Sequence, residues 1–179
     1  MQTNRFYLLS ALILVSFNPC CSQQAQEWLL PVKLGDSKTT VLSVLGKPKI
    51  KTSWDSLLAI DWFPDSGMAV WYDTLSMKLS QIMVYGTNSH SFRTYKGGII
   101  GGLKVTDNIR SWKKVLGKPS SITKVEHHSN SNWYEWRMKS YILSINVWVR
   151  GFSDKNGYYP KGSISFLTLK NFVNVNDSR

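Results

Sequence analysis

Cysteine is nearly absent. The chain holds two, Cys20 and Cys21, side by side near its start, so nothing after residue 21 can form an intramolecular disulfide. A domain of this size has enough chain to build a core without one. Histidine is as scarce: His90, His127 and His128 are the three, all in polar stretches. Two adjacent histidines on one loop, with no later cysteine to join them, do not make a metal site; neither a metal nor a cofactor is expected. Acids are few, 11 against 22 Lys and Arg. Asp36 and Asp107 read as helix caps, and Asp55, Asp61, Asp65, Asp73 and Glu135 show no spacing that marks a catalytic pair. There is no G-x-S-x-G nucleophile turn, and the glycines at 97–102 lack the G-K-[ST] ending of a phosphate loop. The residues therefore give no reason to expect an enzyme.

Long apolar runs are also missing, except at the start. Arg5 precedes an apolar run at residues 6–17 broken by Ser10 and Ser16, then Asn18-Pro19-Cys20-Cys21-Ser22 and a polar Gln23-Gln24-Ala25-Gln26. The run is too short to span a bilayer comfortably, and the order of charge, apolar run and small residues is that of a secretory signal. The paired cysteines resemble a bacterial lipoprotein signal, in which one Cys becomes the lipid-modified N-terminus. Cys21 is the better candidate, because Cys20 follows Pro19 whereas Cys21 follows a small residue. The sequence thus divides into a signal (1–21), a tether (22–28) and two further units (29–95 and 96–174). The expected location is exported: a periplasm-facing or surface-exposed membrane lipoprotein, or otherwise a secreted or periplasmic protein.

The net charge is +11; the signal holds Arg5 and no acid, so the remainder carries +10. A surplus of this size favours an anionic partner, either an acidic protein face or an anionic envelope component such as lipid headgroups, with membrane contact through the lipid anchor if acylated. The lysines are spread out rather than blocked, and an exported chain does not meet nucleic acid, so no nucleic-acid partner is expected.

What the chain does have is a repeated stretch. Leu45-Gly46-Lys47-Pro48 recurs as Leu116-Gly117-Lys118-Pro119, and between Asp36–Pro48 and Asp107–Pro119 six positions are identical at a spacing of 71 residues. Each Asp is placed to cap a helix start. Ile109, Trp112, Val115 and Leu116 then recur at helical spacing, and the first copy keeps Val41, Val44 and Leu45 with Lys38 in place of the Ile, a wetter first turn. Gly46 and Gly117 read as left-handed helix stops, and Pro48 and Pro119 forbid continuation. Helices are predicted over 37–45 and 108–116. Strands follow over 57–63, 68–73, 79–86, 132–138, 141–150 and 163–170, with a long loop at 151–160. The expected fold class is α+β: two tandem helix-plus-antiparallel-sheet repeats with helices packed on one face of a combined sheet.

The L-G-K-P stretches after Asp-Ser and Asp-Asn, followed by aromatic strands (Trp62-Phe63, Trp133-Tyr134), resemble the SmpA/OmlA (BamE) outer-membrane lipoproteins. They also resemble the wider superfamily of the β-lactamase inhibitor protein (BLIP-like). That resemblance implies a non-enzymatic binding module of the bacterial envelope, acting in protein–protein interaction or as an envelope-assembly scaffold. The alternatives are a small envelope hydrolase or a secreted inhibitor or immunity-type protein. Strand alternation places the candidate binding face. Tyr141, Leu143, Ile145, Val147 and Val149 turn to the core with Tyr134, Trp136 and Met138, so Trp133, Arg137, Trp148 and Arg150 face outward, and Trp and Arg are residue types that anchor interfaces. By the same parity Leu58, Ile60 and Trp62 are expected on the core face of the first unit.

Overall fold

The computed structural model describes residues 28–53, 57–86, 92–124, 130–154 and 157–171. Arg5 and the apolar run, Cys20, Cys21, Asp55 and the three histidines lie outside these residues. The first half holds helix α1 (Lys38–Leu45) and strands β1 (Ile50–Ser53), β2 (Leu58–Phe63), β3 (Met68–Asp73) and β4 (Leu79–Tyr85). A small hairpin follows, β5 (Gly98–Ile100) and β6 (Leu103–Lys104). The second half holds helix α2 (Ile109–Leu116), β7 (Ser121–Lys124), β8 (Ser131–Arg137) and β9 (Tyr141–Trp148). A hairpin of β10 (Phe152–Asp154) and β11 (Gly157–Tyr159) comes next, within the stretch expected as a loop, and then β12 (Ile164–Asn171).

Eight strands form one antiparallel sheet in the order β1-β2-β3-β4-β12-β9-β8-β7. The seam between the halves is β4 against β12, with Phe166 opposite Tyr85 and Lys170 opposite Gln81. One face carries the main core: Phe63, Met68, Val70, Leu79, Ile82, Val84, Leu143, Ile145, Val147, Leu167 and Leu169. The opposite face carries a second cluster around Ile60, Ala69, Trp71, Tyr85 and Phe92.

This corrects the expected fold class. The chain is mostly β, with a single large sheet rather than two helix-plus-sheet repeats roofed by helices. The reason is the length of the helices. Each has eight residues, about two turns. α1 buries Val41 alone and α2 buries Ile109 and Trp112. Much of the remaining cover on the main core comes from non-helical residues before each helix: Leu30 and Val32 before α1, and Ile99, Ile100, Leu103 and Val105 before α2.

The recurring stretches do share one local geometry, and two details differ from expectation. The caps are Ser37, which accepts from the Thr40 amide, and Asn108, which accepts from the Arg110 amide. Asp36 and Asp107 instead turn backward: each carboxylate accepts the amide of the residue three before it, Lys33 or Lys104, at 2.7 Å. Each Asp amide returns a bond to the same residue's carbonyl. The carboxylates thus close the loop that leads into the helix. Gly46 (φ 80°, ψ −160°) and Gly117 (φ 77°, ψ −161°) have positive φ, but not the left-handed helical ψ. They occupy a region that is nearly glycine-only. Pro48 is buried beyond the first stop and Pro119 half-buried beyond the second.

Candidate functional site

The predicted binding face resolves into separate neighbourhoods. Leu143, Ile145, Val147 and Trp136 point into the main core, with Tyr134, Met138 and Tyr141 packed against it. Trp133 lies on the opposite face, half-buried, edge-on to Phe166 with ring centres 5.1 Å apart. Trp148 shares that face two rungs along β9 and packs on Tyr159 of β11 at 5.5 Å, so the hairpin at 151–160 covers it. Arg137 is exposed and its Nε donates to Glu135 at 3.0 Å. Arg150 is exposed beyond the end of β9. The register sets Trp133 against Asn146 and Glu135 against Ser144, and Asn146 and Ser144 are themselves buried.

Parity in the first half differs from expectation. Leu58, Ile60 and Trp62 share the face of Trp71, away from the main core, and Trp62 lies 5.6 Å from Phe92. The residue alternating with them, Asp61, therefore points into the main-core side and is 1% exposed. Lys38 reaches it from the first turn of α1: Nζ stands 3.6 Å from Asp61 Oδ2 and 4.9 Å above the Tyr72 ring. The Lys that looked like a wetter helix turn is the counter-ion of a buried acid. Burial first, and the Asp61 carboxylate second, push the Tyr72 phenol well above its ordinary range. Among the described residues neither Asp61 Oδ2 nor the Tyr72 hydroxyl has a hydrogen bond. Sequence reasoning missed this cluster; its one signal was a Lys and an Asp each breaking an otherwise apolar pattern.

The second feature that sequence reasoning missed is a groove at the far edge of the sheet. β7 ends the strand order and all four of its residues are exposed. Between it and the end of α2 runs an open groove of about 530 Å³ lined by Lys113, Gly117, Lys118, Pro119, Ser121 and Ile122. Trp136 Nε1 donates to the Gly117 carbonyl at 3.2 Å, which fastens β8 to the helix end. The Ser120 amide donates to the Glu135 carbonyl at 2.7 Å, and the Ser120 hydroxyl accepts from the Arg137 amide. Lys113 lies over the Tyr134 ring at 4.6 Å, a cation–π contact. Lys113 and Lys114 also suit the negative end of the helix. Ile122 is 49% exposed beside them. Among the described residues neither Lys113 nor Lys118 has an ion-pair partner, and no acid lines the groove. The arrangement combines free backbone donors and acceptors, an apolar side chain and unopposed positive charge.

Among the described residues no group of three or more His, Cys, Asp or Glu is placed to hold a metal. No helix among them is long and apolar enough to cross a membrane. By sequence, neither a protein-family model nor a curated protein matches the chain. By structure, it is similar to a DUF4309 family protein (YjgB) from Bacillus subtilis, at 16% identity and TM-score 0.48, over 76% of this chain and 79% of that one. It is also similar to an extracellular protein containing an SCP domain from Bacillus anthracis, at 9% identity and TM-score 0.43, over 76% of this chain; the match spans 43% of that protein.

Proposed function

We propose that the protein is an exported, non-catalytic binding module of the bacterial cell envelope that captures an extended, acidic segment of a partner protein along β7. The observation that carries this reading is the free, basic edge: a terminal strand with exposed residues beside a groove lined by Lys113, Lys118 and Ile122. An added strand would take up the unpaired backbone groups of β7, and its alternate side chains would meet Ile122 and the two lysines. Acidic residues on the partner would meet positive charge, since among the described residues no acid lines the groove. Export rests on Arg5, the apolar run at 6–17 and the small residues after it. Attachment to a membrane through lipid on Cys21, or on Cys20, is the finer form of the same proposal.

The test uses a photoreactive residue in place of exposed Ser121, in the native host. The expected product is a cross-link to one acidic protein, lost in the K113E/K118E variant while melting shifts by only a few degrees. A cross-link chiefly to lipid or to a second copy of the chain, or one that persists in the charge-reversed variant, overturns the assignment.

A further inference from the structure

A pocket of about 300 Å³ lies on the main-core side of the sheet, sharing no lining residue with the β7 groove, where residues 28–34 cross the start of β9 and the end of β12. Trp28, Leu30, Val32, Leu34, Tyr141 and Leu169 give it apolar walls, and Lys33, Ser140 and Asn171 complete its lining. One wall is locked in place. The Trp28 and Tyr141 rings meet edge to face at 4.9 Å. Leu30, Val32 and Leu169 are each 5% exposed or less, so this part of the lining belongs to the folded core and is formed before any ligand arrives.

The volume is at the lower end of the range for small-molecule sites. It is large enough for a medium-length hydrocarbon chain. The charge is asymmetric. Among the described residues Lys33 is the sole charged residue of the lining, and Asp36 in the same loop has its carboxylate turned onto the Lys33 amide at 2.7 Å. Ser140 and Asn171 add uncharged polar groups to the same lining.

We infer that this pocket binds a single medium-length acyl chain ending in a carboxylate, the chain against Trp28, Leu30, Val32 and Leu169 and the carboxylate at Lys33. The site is separate from the β7 groove, and the two readings stand or fall apart.

Decanoate, titrated below its micellar range into the full-length processed protein, tests the assignment by calorimetry and tryptophan fluorescence. The expected result is saturable one-to-one binding with a change in Trp emission, and at least tenfold weaker binding of decyltrimethylammonium, which has the same chain and the opposite charge. Lys33→Glu, at an exposed position, weakens decanoate at least tenfold. Ser140→Trp blocks the pocket; Leu34→Trp serves if that variant does not fold by circular dichroism. Absence of saturable binding, equal affinity for the two amphiphiles, or binding that survives both the charge reversal and the blocking residue overturns the inference.

Discussion

At the scale of single residues, two kinds of exception to the apolar pattern organise the chain. Lys38 and Asp61 each sit where the other half of the sequence, or the neighbouring strand positions, would favour an apolar side chain. Each is tolerated because of the other. Asp61 is almost fully buried and Lys38 is a quarter exposed, so the pair is only partly desolvated. Removing the Lys alone leaves a buried carboxylate with no counter-charge. Lys38→Met should therefore cost about 1–3 kcal/mol, somewhat less than breaking a fully buried pair. Adding Asp61→Asn should recover a good part of that loss in a double-mutant cycle measured by denaturant melts. Additive losses would mean that the two side chains do not interact. The second exception is the glycine after each helix. Gly46 and Gly117 hold nearly identical dihedrals, and an added Cβ at either would find open space, so any cost comes from the backbone conformation alone. Alanine at each should cost about 1–3 kcal/mol, the same at both sites within error. Unchanged chemical-denaturation midpoints for both would mean that positive φ is not required there.

At the scale of elements, legibility followed the sharpness of each pattern. β9 alternates buried Leu143, Ile145 and Val147 with residues of the other face, and that alternation alone placed its core side. β2 could not be placed this way. Leu58, Ile60 and Trp62 look like a core face because they are apolar, yet Phe63 on the opposite parity is the one in the main core and Asp61 goes in with it. Both faces of that strand are covered, so period-two alternation carries no sign. The edge strand β1 was obscure because its four exposed residues of mixed character have no buried face to advertise. The helices were found, but their share of the core was overread. Trp112 is fully buried, with its indole N–H donating to the Lys104 carbonyl at 3.3 Å, whereas α1 offers only Val41 at the equivalent place. Trp112→Ala should therefore cost about 3–5 kcal/mol, and Val41→Ala clearly less, since a smaller volume is removed. Equal losses in denaturant melts would mean that the two helices bear on the core alike. Of the candidate site, the outward parity of Trp133 and Arg137 was readable, whereas parity alone does not decide that Tyr159 packs over Trp148.

At the scale of the whole molecule, the strand order joins the two halves in one sheet. β1 to β4 on one side and β7, β8, β9 and β12 on the other meet only across β4 and β12 within the sheet, while the core residues of both halves form one cluster. The seam continues past the last residue of β4. The Gly86 amide donates to the Ser165 carbonyl at 2.7 Å, at a point where β12 shifts its register against β9 between Ile164 and Phe166. Gly86 is buried there, and a Cβ on it would run into the backbone carbonyl oxygen of Ile164. Backbone cannot swing aside as a flexible side chain can, so the strands would have to separate locally. Gly86→Ala should cost roughly 3 kcal/mol or more, at the upper end of overpacking penalties. Because the seam joins all eight strands, the loss should appear as an earlier transition that stays single, with far-ultraviolet ellipticity and tryptophan fluorescence still coincident. If the variant instead melts in two steps, with the signal of one half lost before the other, the halves are separable domains and the sheet is a docking of two parts rather than one cooperative body.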